Sequence, residues 1–345
     1  MGMTATPLAP HLPEPDTFMT PLYKTRAVLG CLPMAFFAIF PVAAKAQTWP
    51  GQAIKIVVPF TPGTGMDTIA RTISPRLSER LGQPVVVQNV PGASGNIGAD
   101  NVAKATADGY TMLMGANTML IASQLYKNVP FNPVDDFSPV SMAAYGTLML
   151  VANPKTGIKS MQELIAVAKA KPGFITYGSP GIGTPHHMAM ELFKSETGLF
   201  MLHVPYKGTA GYVQDLLGGE LMVGFLPVHV AQGFVSAGKL TALAVGGATR
   251  HPVAPNVATI QELGVKGVNV DIWYAFFLPG KTPAPVVNRL NTEIAAIMNL
   301  PDVRSVLSKA GLDAASSTPV ELNAVVKKDY QRWGAVIKRN AITAE

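Results

Sequence analysis

From Ile54 onward, short apolar runs alternate with longer stretches in which apolar residues return every three or four positions. Ile54 to Phe60, rich in β-branched residues and closed by Pro59, reads as a buried strand. After the turn 61–65, the spacing of Ile69, Ile73, Leu77 and Leu81 predicts a helix over 66–81, stopped by Gly82. The same contrast predicts strands at 85–87, 111–115, 148–152, 175–178, 201–205, 222–226 and 240–245, and around 273–278. Helices are predicted at 97–105, 161–171, 186–198, 209–217, 228–237, 286–299 and 319–339. Ser160 with Glu163 forms a capping-box pattern for the second of these. Strand, loop, helix and strand at this spacing indicate βαβ units and parallel sheet. The fold class is therefore α/β, arranged as two lobes with a ligand cleft between them. Crossings between lobes are expected near Tyr145 and near Asp271-Ile272-Trp273.

Residues 1–46 follow a different pattern. Lys24 and Arg26 precede an apolar stretch over 27–41, and Ala44-Lys45-Ala46 supplies a small-residue end before Gln47. These are the three parts of a secretory signal peptide, cut between Ala46 and Gln47. The stretch is shorter than the ~20 residues of a membrane span and contains two prolines. Met19 offers an alternative start with a more usual n-region. The chain is thus expected to be exported and soluble.

Composition sharpens this picture. The 345 residues are 48% hydrophobic and 14% charged, which excludes a disordered chain. The formal charge of +6 falls to +5 without the leader and is spread along the chain, so no nucleic-acid arm is present. The single cysteine, Cys31, lies in the leader, so the mature chain can form no internal disulfide and no Cys-based metal site.

Three loops, at 61–67, 91–97 and 179–186, each follow a strand and open a helix. Unpaired amides at helix starts, aided by the helix dipole, bind carboxylate or phosphate without a cationic side chain. Each such loop taken singly is also an ordinary tight turn. Enzyme signatures are missing. No GxxxxGK[ST] occurs, Gly63-Thr64-Gly65 does not continue as GxGxxG, and Gly92-Ala93-Ser94-Gly95 is not a GxSxG elbow. His186 and His187 point about 100° apart on a helix and read as helix-start or core histidines, not a metal pair. His203 and His229 read as satisfied core or edge residues, and His251 as a loop histidine without metal partners. Asp67 and Arg71 are spaced as a helix ion pair, and Asp67 equally suits holding the 61–65 loop through its amides. No cofactor and no metal are expected.

Several longer strings then carry a family pattern. Val57-Val58-Pro59-Phe60-Thr61-Pro62-Gly63 with Asp67 and Ala70-Arg71 resembles the opening motif of Bug-type receptors. Pro91-Gly92-Ala93-Ser94-Gly95-Asn96-Ile97-Gly98 and His203-Val204-Pro205-Tyr206-Lys207-Gly208 continue the resemblance, which runs from about Trp49 to Trp333. Bug-type receptors are the periplasmic substrate-binding proteins of tripartite tricarboxylate transporters. The resemblance implies a type II periplasmic-binding-protein fold, with domain 1 formed by 47–146 plus 272–345 and domain 2 by 147–271. It implies a small carboxylate ligand held by Phe60, Gly63, Thr64, Gly65 and Asp67 on one lobe and by Ser179, Gly183 and Thr184 on the other. Asn117, Leu226 and Asp271 complete the expected ligand-binding set. Membrane subunits of the transporter are the implied partners, and a monomer is expected. Two departures stand out: Thr64 replaces the second glycine of the family's PGG, and Leu226 stands where Asp or Ala is common. An apolar Leu226 suggests a ligand without a free amine, such as a dicarboxylate, keto acid or aromatic acid. A ligand-sensing module for a histidine kinase is the alternative reading, and a secreted α/β enzyme the remote one.

Overall fold

The computed structural model describes residues 49–268 and 270–344. The leader, its cleavage site and Cys31 lie outside the described residues. In the described part, β1 (Ile54–Val58) is a continuous apolar run because both its faces are covered: Ile54, Ile56 and Val58 enter one core and Val57 another. It pairs in parallel with β2 (Val85–Asn89) and with β3 (Thr111–Ala116). Helices α1 (Gly65–Leu81) and α2 (Asn96–Ala103) connect these strands, and α1 ends at Gly82 in the left-handed region (φ +67°).

Two elements here depart from the expected pattern: one was not expected, and one is much longer than expected. Helix α3 (Thr118–Leu125) is buried through five consecutive residues from Thr118 to Ala122, so it has no polar face to set a helical period. Strand β4 runs over Phe137–Ala152, far beyond the expected 148–152. Ahead of the expected strand it contains Pro139 and Gly146, and two register shifts, at 139/141 and 142/144, accommodate the irregular backbone.

The second half of the chain supplies α4 (Met161–Ala170), β5 (Thr176–Ser179), α5 (Pro185–Thr197), β6 (Leu202–Pro205), α6 (Thr209–Gly218), β7 (Val223–Pro227), α7 (Val228–Ser236) and β8 (Thr241–Val245). After β9 (Asp271–Pro279) come α8 (Ala284–Met298), α9 (Pro301–Lys309), the short β10 (Asp313–Ala314) and α10 (Pro319–Arg339). Glu163 of α4 takes the Ser160 hydroxyl on its amide but reaches back to the Lys159 amide, one residue before the expected cap. Thr318 and Glu321 form the complete reciprocal box on α10.

The strand order is β2-β1-β3-β9-β4-β7-β5-β6, with β8 and β10 also on β4. The outer triplets β1–β3 and β5–β7 are parallel, as the βαβ spacing predicts. The centre departs from a purely parallel arrangement: β9 and β4 are antiparallel to each other and to their outer neighbours. The partners of β4 change along its length. Up to Thr147, paired with Asp271, it lies on β9; from Leu148 it pairs with β7, and from Met149 also with β8. Among the described residues no helix is long and apolar enough to cross a membrane.

Candidate functional site

The loops before α1 and α5 are built on one plan. In the first, Gly63 takes φ +84°, Thr64 is the N-cap, and the Asp67 amide donates to Thr64 Oγ1 at 3.4 Å. The Asp67 carboxylate, at the third helical position, in turn accepts the Gly63 amide at 3.0 Å. In the second, Gly183 takes φ +78°, Thr184 is the N-cap, and the His187 amide donates to Thr184 Oγ1 at 3.5 Å. His187 Nδ1, again at the third position, accepts the Gly183 amide at 3.2 Å. Glycine is required at both 63 and 183, because an L side chain resists positive φ. This doubled design satisfies the amides at positions before the helix and at its third residue. The amides of Gly65 and Met66 on α1, and of His186 on α5, are left without helical partners by their place in the first turn. Pro185 contributes none, having no N–H.

Each loop is braced from behind. The Asp67 carboxylate also accepts from Arg71 at 2.9 Å and from Asn89 at 3.0 Å. Burial pushes its pKa up, but the hydrogen bonds from Arg71, Gly63 and Asn89 outweigh burial and hold it below the ordinary aspartate value. Both roles expected of Asp67, ion pair and loop holder, are present together. Behind the second loop, Ser179 is fully buried, donates to the Gly181 carbonyl at 3.0 Å and lies 2.7 Å from His203 Nε2. His203 stacks on His187 with ring centroids 4.3 Å apart. Burial lowers His187 and His203 each to about 3, so this stack is neutral at ordinary pH.

Below pH 6.5, the ordinary histidine value, the unfolded chain takes up protons that the folded stack refuses, so stability falls as pH drops toward 3. The melting temperature should therefore decline steadily between about pH 6.5 and 4, and His203→Gln, which keeps a partner for Ser179, should flatten that decline. An unchanged slope in the variant would place the acid sensitivity elsewhere.

Both helix starts border one cavity of about 120 Å³, whose wall is completed by Thr147, Thr209, His229, Tyr274 and Leu312. Among the described residues no Asp, Glu, Lys or Arg borders it. A wider hollow of about 650 Å³ lies between the loops carrying Thr61 and Ser94 and those carrying Gly181 and Tyr206. There the two sides come close: a Cβ at Gly181 would lie 2.9 Å from Ser94 Oγ, and one at Gly208 would lie 2.8 Å from Thr61 Oγ1.

Of the expected residues, Phe60, Gly63, Thr64, Gly65 and Thr184 border the cavity. Asp67, Ser179 and Gly183 shape its loops without facing it. Asn117 is fully buried and donates from Nδ2 to the Asp271 carbonyl at 2.9 Å, tying α3 to the start of β9. Asp271 itself is exposed and outside the cavity wall. Leu226 is buried in the core beside Met149 and Tyr212, so its apolar character does not bear on whether a ligand carries an amine. His186, His229 and Tyr274 are wall residues that the sequence pattern did not single out. His229 is not the satisfied core or edge histidine expected, since among the described residues its buried Nδ1 has no partner. Among the described residues no group of His, Cys, Asp and Glu is placed to hold a metal ion.

Comparison with known proteins gives this architecture a family. Residues 69–342 match the model of the tripartite tricarboxylate transporter family receptor, TctC. Protein BugT of Bordetella pertussis is 34% identical over 319 residues, covering 91% of this chain and 97% of the relative. Among solved structures, R. palustris Rpa4515 with adipate superposes with a TM-score of 0.81 at 34% identity, covering 86% of this chain and 99% of the other. The periplasmic binding protein BugD superposes at 0.80 with 30% identity, covering 86% and 99%. The matched family is one of transporter receptors, and BugD is a periplasmic binding protein. The chain belongs to the TctC, or Bug, family of solute-binding receptors.

Proposed function

We propose that this receptor takes up a single small carboxylate in the periplasm and delivers it to the membrane subunits of a tripartite tricarboxylate transporter. The observation that carries the reading is the pair of like-built helix starts bordering one cavity that, among the described residues, no charged side chain lines. Such an arrangement stabilises one anionic group through amides and helix dipoles and offers nothing to a cation. Adipate in the R. palustris relative is a ligand of this class. The apolar leader ending in Ala44-Lys45-Ala46 and the periplasmic relative support export with cleavage after Ala46.

In this reading 47–146 plus 272–345 and 147–271 are the two jaws, and β4 and β9 form the hinge. The change of β4 partners between Thr147 and Leu148 supports that division. Contacts such as Ser94 against Gly181 form as the jaws meet and drive closure when a ligand bridges them. The cavity is complete within one chain, which suits a monomer. Calorimetric titration of the exported protein with mono- and dicarboxylates and with the corresponding amides should give one site per chain for at least one acid and none for its amide. Binding of amides as well as acids, or binding of no acid at all, would contradict the proposal.

A further inference from the structure

Successive turns of α5 place His187, Glu191 and Lys194 on one face. Glu191 and Lys194 do not border the cavity, yet they meet in a cluster behind its second loop. Glu191 Oε1 accepts from Lys194 Nζ at 2.7 Å and from the Tyr177 hydroxyl, and lies 3.8 Å from His187 Nε2. The Tyr177 ring stacks on His203 with centroids 4.7 Å apart, and His203 stacks on His187. Glu191 therefore joins both ends of a three-ring stack, and two of those rings hold the loop backbone, at Ser179 and at Gly183.

The partners fix the protons. His187 is neutral and its Nδ1 accepts the Gly183 amide, so its one proton sits on Nε2, the nitrogen facing Glu191. At 3.8 Å this contact is electrostatic and not a hydrogen bond. The Ser179 hydroxyl gives its proton to the Gly181 carbonyl, so His203 Nε2 donates to Ser179 and is likewise the protonated nitrogen. Without Glu191, the groups that converge on its oxygen, the Lys194 ammonium and the Tyr177 hydroxyl, would both be donors, and the Lys194 charge already acts on His187. Donors there favour a lone pair on Nε2, which moves the proton to Nδ1 and sets it against the Gly183 N–H. The first loop needs no such device, because the Asp67 carboxylate has no tautomers.

Resting on the carboxylate reading, we propose that Glu191 is a positioning residue for the second ligand loop: its carboxylate fixes His187 as the Nε2–H tautomer and so keeps Nδ1 as the acceptor that holds Gly183. Glu191 acts on the ligand through His187 alone.

Nitrogen-15 spectra of the histidine side chains, with calorimetry on the exported protein at neutral pH, test this; the tightest binder among succinate, adipate and hexanoate is the probe. His187→Asn identifies the His187 signals and supplies an acceptor without tautomers, of the same length as the Asp67 side chain that takes the Gly63 amide at 3.0 Å. Glu191→Leu should weaken probe binding about tenfold or more in the wild-type background but less than about twofold in the His187→Asn background. The wild-type spectrum should show His187 protonated on Nε2, and the leucine variant should bring up the Nδ1-protonated form. Equal losses in both backgrounds, an unchanged tautomer in the variant, or a wild-type His187 protonated on Nδ1 would each overturn the assignment. Should circular dichroism show the leucine variant unfolded, Glu191→Gln replaces it, with the same pattern expected and a loss of about threefold. A wild-type protein that binds none of the three acids counts against the carboxylate reading, and the tautomer spectra then decide the role of Glu191 by themselves.

Discussion

Replacing Gly65 with valine should reduce ligand affinity by about 100-fold or more, equivalent to about 2.7 kcal/mol, while leaving the fold intact. A Cβ at Gly65 would lie 3.0 Å from Tyr274 Oη and 3.1 Å from Tyr274 Cζ. The two further methyl groups must then either displace the tyrosine or occupy a cavity of only about 120 Å³. Either choice separates the anion from the Gly65 and Met66 amides that would receive it. The backbone pays little, since Gly65 is the first helical residue and valine has the better helix propensity there. Melting and calorimetry on the same sample separate the two effects. Wild-type affinity in the variant, or collapse of the fold with affinity retained per folded molecule, would contradict the account of this wall.

The second large effect concerns stability. Gly178 and Gly224 are register partners on β5 and β7, and together they make a flat floor for the ring of Tyr212. A Cβ at Gly178 would lie 2.6 Å from Tyr212 Cδ2, and one at Gly224 would fall inside the envelope of the hydroxyl that bonds to the Phe225 carbonyl at 2.6 Å. Tyr212 is fully buried and has no room to retreat. Gly224→Ala should therefore destabilise the protein by about 3 kcal/mol, lowering the melting temperature by several degrees. Tyr212→Phe alone loses one hydrogen bond, worth about 1 kcal/mol, yet in the Gly224→Ala background it should restore stability by removing the colliding oxygen. Strictly additive losses in the double variant would show that the clash is not the cause. Because Tyr212 also faces His186, the same floor fixes the position of one cavity wall.

Much of this could be read from residue order. The β-branched run at 54–58, the Gly82 stop and the outer parallel strands are local signals, and most helices with a polar face declared their period; α9, short and with only Val303 and Leu307 buried, was not expected. Helix α3 did not, because its residues are buried nearly all round, and the part of β4 before Leu148 was hidden by Pro139, Gly146 and its bulges. Pairing between β4 and β9 joins residues more than a hundred positions apart, which no window of periodicity samples.

For the site, glycine and threonine at 63–65 and at 183–184 marked both loops. Which side chains face inward was not legible. Asp67 and His187 play the same part at the third helical position, and the shared spacing Gly-Thr-x-x-Asp and Gly-Thr-x-x-His was the available clue to that equivalence. Leu226 failed as a wall residue because alternation along β7 turns its side chain into the core, a matter of register and not of residue type. His186 read as a helix-start or core histidine and His229 as a core or edge one; their buried ring nitrogens without partners are visible only in the structure.

The central claim is that one carboxylate sits between the starts of α1 and α5, held by backbone amides. A crystal structure of the exported protein with its tightest-binding small carboxylate tests this most directly. The account predicts carboxylate oxygens within hydrogen-bond distance of the Gly65 or Met66 amide on one side and the His186 amide on the other, directly or through one water. A carboxylate held by lysine or arginine side chains, or seated outside this cavity, would contradict it.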